Sequence, residues 1–276
     1  MFRTTALTAL VLLIAGMAHA GGPPGGPVKT CAVDAVVSGA GCMDKYEASV
    51  WRVPRPNTAN RALVTKIRQG TATVASLKAG GATPLGALMD DYAPCADSGQ
   101  NCTNDIYALS LPGVTPSAFI TWFQAEQACA NSGKRLPTSA EWQAAVAGTP
   151  DPGPDNGTTD CNTASTFAVA PTGSRKSCVS SRGAFDMVGN LFEWVADWVP
   201  RSTTGGSWDP DVSATGDLQG LIGADDSGTG GPGALLRGGD FIFGGNTYAG
   251  PLAISAVVEP SNSFNETGEI GFRCAR

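Results

Sequence analysis

The segment Asp186-Met187-Val188-Gly189-Asn190-Leu191-Phe192-Glu193-Trp194 sets two carboxylates on either side of a tight Val-Gly-Asn turn before an aromatic stretch. A turn of this kind brings carbonyl and carboxylate oxygens together, the donor set that a hard cation such as calcium prefers. The plain alternative is a carboxylate pair satisfied by backbone amides. Two helices are legible upstream. Thr115 and Pro116 supply an N-cap and a first-turn proline, Phe119, Trp122, Phe123, Glu126 and Cys129 follow at helical spacing, and Gly133 stops the run. Pro137-Thr138-Ser139-Ala140-Glu141 then opens a second helix with a capping box, and Gly148 ends it. Elsewhere Gly, Pro, Asp, Asn, Ser and Thr dominate from Thr149 to Arg182 and from Ser202 to Gly233, which predicts loops joined by short strands.

Composition agrees with this mixture. The chain has 276 residues, of which 36 are Gly and 19 Pro, too many breakers for a helical bundle or a coiled coil. Hydrophobic residues make up 42% and charged ones 15%, so the chain can build a core and is not a disordered polymer. A formal net charge of -6 argues against nucleic-acid binding, which needs a basic patch to neutralise phosphates.

The N-terminus predicts export. Arg3 gives a positive start, Ala6 to Ala15 form a short apolar run, and Ala18-His19-Ala20 is a small-x-small cleavage site, so residues 1–20 read as a signal peptide cut after Ala20. The run is too short to serve as a membrane span. Residues 21–30 are a Gly/Pro-rich leader, and one domain is expected over 31–276, secreted or periplasmic. Cleavage removes His19, the one histidine, and with it every Ser-His-Asp, Cys-His or histidine-metal mechanism.

Eight cysteines, all after the leader, suit disulfides in an exported chain, and none of their spacings is the CxxC that a thiolate metal site wants. Short loops favour Cys31 with Cys42, Cys95 with Cys102 and Cys161 with Cys178, which leaves Cys129 with Cys274. The arginines Arg135, Arg237 and Arg273 read as buried or half-buried ties between irregular loops, Trp142, Trp194 and Trp198 as core anchors, and Gly238 and Gly239 as points where a Cβ would be forbidden.

Five stretches carry a family resemblance when taken in order: Met43-Asp44-Lys45-Tyr46-Glu47-Ala48-Ser49, Gly133-Lys134-Arg135-Leu136-Pro137-Thr138 with Glu141-Trp142, the Asp186–Trp194 segment, Leu236-Arg237-Gly238-Gly239, and Gly271-Phe272-Arg273-Cys274. From Met43 to Arg276 the chain resembles the formylglycine-generating enzyme (sulfatase-modifying factor) family. The resemblance implies an α+β single domain, a variant of the C-type lectin fold, with short twisted strands, two main helices, much irregular loop and disulfide staples. It supports the Cys129–Cys274 pairing, and it implies a structural calcium with Asp186 and Glu193 as side-chain ligands and Gly189 and Leu191 as carbonyl donors. Asn162 lies where another family calcium site often begins, in a loop too divergent to map.

The resemblance also carries a departure. Formylglycine-generating enzymes hold copper with two cysteines, five residues apart, shortly after the motif that Arg237-Gly238-Gly239 resembles. Here Phe243 and Tyr248 stand at those places. Phenylalanine has no donor atom and a neutral phenol is a poor ligand for Cu(I), so no copper is expected. Residues Asp240 to Ile270 fill the family's active-site region, and Asp240, Asn246, Tyr248, Glu259, Asn262 and Asn265 are candidate ligand-binding residues among aromatic neighbours. The reading is a non-catalytic binding module for a protein, peptide or glycan. The alternative is an oxidoreductase with a remodelled site using Asp240, Tyr248 and Glu259.

Overall fold

The computed structural model describes residues 30–102, 105–150, 155–164, 166–200, 219–220, 232–242, 249–256, 260 and 268–276. The expected signal peptide and nearly all of the leader lie outside them. In chain order the elements are β1 (Ala35–Ser38), β2 (Gly41–Asp44), β3 (Ala48–Arg52), α1 (Arg61–Arg68), α2 (Val74–Ala79), β4 (Thr83–Pro84), β5 (Ile106–Ser110), α3 (Trp122–Asn131), α4 (Ser139–Val146), β6 (Phe192–Val199), β7 (Gln219–Gly220), β8 (Gly233–Arg237), β9 (Ile254–Ser255) and β10 (Ile270–Phe272). They form a β1-β2 hairpin, a β4-β3-β5 sheet and a β10-β6-β8-β9-β7 sheet.

Strand alternation divides the core. In β5, Ile106 and Ala108 join one hydrophobic cluster while Tyr107 and Leu109 join another, and in β3 Val50 and Trp51 divide the same way. In β6, Trp194 faces the first cluster, with Ala125 and Ala128 of α3, whereas Val195 faces the one built on Trp142 and Ala145 of α4. The period of two thus buries both faces of β5 and of the first half of β6. The C-terminus closes the structure: Arg276 N–H donates to Cys42 O at 2.7 Å, and Ala275 bridges to both Met43 and Arg135.

The second predicted helix forms as expected. Thr138 caps α4, its side chain accepting from Glu141 N–H while Glu141 accepts from Thr138 N–H, and Gly148 follows the helix at φ +80°. The first starts later than Thr115. Thr121 is the N-cap, in a capping box with Gln124, because the preceding segment serves the sheet instead. Ser117 N–H donates to Ala48 O, its hydroxyl accepts from Val50 N–H at 2.7 Å, and Phe119 sits at φ +55°, incompatible with helix. Helices α1 and α2 are additional to the two main helices expected. They cover the outer face of the β4-β3-β5 sheet with Leu63, Val64, Ile67 and Leu77. All four disulfides, Cys31–Cys42, Cys95–Cys102, Cys129–Cys274 and Cys161–Cys178, are paired as anticipated.

Candidate functional site

The Val-Gly-Asn turn is held by backbone geometry that few residues tolerate. Gly189 lies at φ +72°, and a Cβ there would come within 2.4 Å of Asn162 O. Asn190 follows at φ +63°, its N–H donating to Asn162 O at 2.8 Å. The turn delivers Glu193 into β6, where it meets Arg273 from the segment after β10.

Arg273 is fully buried, and its fork matches Glu193: Nε donates to Oε2 at 2.7 Å and Nη2 to Oε1 at 2.5 Å. Trp142 Nε1 adds a 2.8 Å bond to Oε2. The other guanidinium donors reach the carbonyls of Asp44, Lys45, Phe185 and Asp186, joining three segments distant in sequence. Glu47, also fully buried, accepts from Leu191 N–H at 3.0 Å and Asn190 Nδ2 at 2.5 Å. Asn190 in turn accepts from Asn162 Nδ2, and Asn162 from Arg175 Nη2, which ties the 155–175 loops to the turn. Asp186 accepts from Gly173 N–H at 2.6 Å.

Three buried carboxylates therefore lie around one close guanidinium, and the titration of Glu47 and Asp186 reflects it. Burial, then the charges of Asp186 and Glu193, push the Glu47 carboxyl well above its usual range. Burial pushes Asp186 up to about 6, against hydrogen bonding from Gly173 and the field of Arg273. A carboxyl whose pKa is higher folded than unfolded holds its proton more tightly in the native state. Its contribution to stability is present below the unfolded value, about 3.9, and is lost as pH rises through 6. Asp186→Asn, which keeps an acceptor for Gly173, should remove a fall of about 3 kcal/mol between about pH 4 and pH 7. Urea unfolding of both proteins across that range checks it, and parallel pH profiles would contradict it.

Other residues depart from the sequence reading. Arg135 is half-buried, its side chain 46% exposed, but it ties no distant loop and pairs with Glu141 of its own motif at 2.6 Å. That hydrogen bond leads in holding the Glu141 carboxyl down to about 2. The buried cation of this motif is Lys134, whose Nζ donates to Asp44 at 2.7 and 2.9 Å and to Asp34 at 3.4 Å. Trp142 and Trp194 are core anchors, but Trp198 is 38% exposed, edge-on to Trp122. Arg237 is buried with its guanidinium 4.6 Å from the Trp142 ring centroid. A Cβ on Gly238 would meet Met187 O at 2.8 Å.

Of the candidate ligand-binding residues, Asp240 is buried and accepts from Ile242 N–H at 2.8 Å. Asn246, Tyr248, Glu259, Asn262 and Asn265 lie outside the described residues, as does Phe243. Phe241 is buried against Ala118 and Leu191.

The comparisons with known proteins agree with these motifs. A model described as the sulfatase-modifying factor enzyme 1-like domain matches residues 74–276. The chain belongs to this family. Its first strands, which precede the matched range, are built into the same structure, β3 pairing with β5 over five positions. Curated relatives include the serine/threonine-protein kinase pkn1 of Chlamydia caviae, 35% identical over 85 residues, and Pkn1 of Chlamydia trachomatis serovar L2, 34% over 89 residues. Each match covers 30% of this chain and 14% of the kinase. Among solved structures, the Major Tropism Determinant P3c variant is 20% identical, covering 88% of this chain and 52% of that one at a TM-score of 0.44. The I1 variant is 23% identical, covering 56% and 37% at 0.35.

The family's two metals can be set against the residues present. Copper needs thiolates, and all eight cysteines are in disulfides, so the chain does not fit it. At the calcium set, both Glu193 oxygens already accept hydrogen bonds from Arg273 and Trp142. Among the described residues no group of three or more His, Cys, Asp or Glu is arranged to hold a metal ion.

Proposed function

We propose that this is an exported, non-catalytic member of the sulfatase-modifying factor family that binds a protein, peptide or glycan through the region from Asp240 to Ile270. One observation carries the reading: with every cysteine tied in a disulfide, no thiol remains to bind Cu(I) or to enter redox chemistry. Phe243 and Tyr248 at the copper positions support it, as do four disulfides, which suit an oxidising compartment. Among the described residues no helix is long and apolar enough to cross a membrane. Export with cleavage after Ala20 gives a mature chain beginning at Gly21.

The test has two arms. Mature protein incubated with Cu(I) and a cysteine-containing peptide should yield no peptidyl aldehyde. On glycan and peptide arrays it should show saturable binding that Tyr248→Ala with Asn262→Ala removes without lowering the melting temperature. Copper-dependent aldehyde would instead establish an oxidoreductase remodelled around Asp240, Tyr248 and Glu259, and array signals indifferent to the substitutions would move the binding site elsewhere.

We also infer that Arg273, not calcium, neutralises the Asp186–Glu193 pair. A calcium chelator should then leave the melting temperature unchanged, since removing a ligand the native state does not bind cannot shift unfolding. A drop that calcium reverses would restore the ion.

A further inference from the structure

Away from that region, two cavities flank the Lys45-Tyr46 dipeptide. One, of about 540 Å³, is lined by Lys45, Tyr46, Val179, Arg182 and Phe185, with no Asp or Glu in its wall among the described residues. The other, of about 370 Å³, shares Lys45 and Tyr46 and continues over Val33, Val74, Leu111 and Pro112. Its one acid, Asp34, is already neutralised by Arg276 at 3.0 Å and by Lys134. Both volumes fall in the range of small-molecule sites, about 300–1,000 Å³.

Among the described residues the two cations here have no carboxylate partner. Lys45 Nζ makes one long contact, 3.4 Å to Val33 O, and no described carboxylate lies within ion-pair distance of it or of the Arg182 guanidinium. The Tyr46 hydroxyl has no hydrogen-bond partner among the described residues, whereas the backbone beneath it is fixed. Lys45 N–H donates to Asp34 O, Phe185 N–H to Lys45 O and Tyr46 N–H to Ser110 Oγ. The Tyr46 ring stacks on Phe185, centroids 5.3 Å apart, and closes so tightly on Gly173 that a Cβ there would lie 2.6 Å from it. Burial, then the nearby Asp186 carboxylate, raise the pKa of the Tyr46 phenol, which keeps it a protonated donor. In a chain of net charge -6, two unneutralised cations sharing one wall with that phenol are an anion's complement on a rigid base.

We propose that these cavities form a binding site for a small organic anion. A carboxylate or phosphate head would meet Lys45, Arg182 and the Tyr46 hydroxyl, and an apolar body would lie along Tyr46 toward Val74 and Leu111. None of the residues named here belongs to the Asp240–Ile270 region, and the ligand proposed there is not required.

Amide chemical shifts of the mature protein titrated with benzoate, phenyl phosphate and, as a neutral control, benzyl alcohol test it. Both anions should move the resonances of Lys45, Tyr46, Arg182 and Gly183 saturably, with Kd on the order of 1 mM or tighter, and benzyl alcohol should not. The two anions compared show which head the site prefers. Lys45→Met with Arg182→Met should raise Kd by about tenfold or more, the worth of one charge-assisted hydrogen bond. Added salt should weaken the wild-type affinity, a readout that survives if the variant fails to fold. Absence of saturable shifts, equal response to benzyl alcohol, an unchanged Kd in the folded variant, or affinity indifferent to salt would each overturn the site.

Discussion

Arg273→Ala should destabilise the protein by about 3–5 kcal/mol, the cost of leaving a buried charge without its partner. The size follows from what remains behind. Glu193 keeps only Trp142 Nε1, and Glu47 and Asp186 lose the one guanidinium they share, in a core where none of the three carboxylates reaches bulk water. Four carbonyls, of Asp44, Lys45, Phe185 and Asp186, lose a donor as well. Against a typical total of about 5–15 kcal/mol, this should lower the melting temperature by roughly 10 °C. Arg273→Lys should recover little, because an ammonium cannot reproduce the two parallel bonds to Glu193. Arg135→Ala is the contrast. That arginine stands in a motif of similar appearance, but its half-exposed pair with Glu141 is expected to contribute no more than about 1 kcal/mol. Urea unfolding of the three variants decides the matter, and an Arg273→Ala loss as small as that of Arg135→Ala would contradict the ion-pair account.

That contrast marks what the sequence could reveal. Signals confined to a few consecutive residues were legible: the Thr138–Glu141 capping box, the stop at Gly148, the short-range disulfides and the order of the family motifs all depend on local geometry. Properties set by distant partners were not. Nothing near Arg135 and Arg273 tells which guanidinium is buried, because the answer lies in β6 for one and in solvent for the other. Nothing local to Lys134 shows that it is buried, since its partners are Asp44 of β2 and Asp34 just before β1. Glu47 was visible inside its motif, yet its role depends on an asparagine more than a hundred residues away. Thr115-Pro116 is a sound local start signal, yet α3 starts only after Thr121, because Ser117 and the positive φ of Phe119 override it. The candidate ligand-binding residues are a different case. All but Asp240 lie outside the described residues.

Cys129→Ala with Cys274→Ala should cost as much as the loss of Arg273, chiefly through the unfolded chain. The bond closes a loop of 145 residues, the longest of the four, whereas Cys31–Cys42 closes 11. In the chain-entropy account the lost constraint amounts to about 5 kcal/mol for the long loop and about 3 kcal/mol for the short one. The folded state adds to the difference. Both sulfurs are fully buried in the principal cluster, between Ala125 and Ala128 of α3 and Phe272 of β10, so two alanines leave a void as well as a freer chain. The bond also sits one residue from Arg273, and cutting it loosens the segment that presents the guanidinium to Glu193. The two variants should therefore be non-additive: combining Arg273→Ala with loss of the disulfide should cost less than the sum of the separate effects. Strict additivity in a double-mutant cycle would mean that the disulfide and the ion pair hold the C-terminus independently.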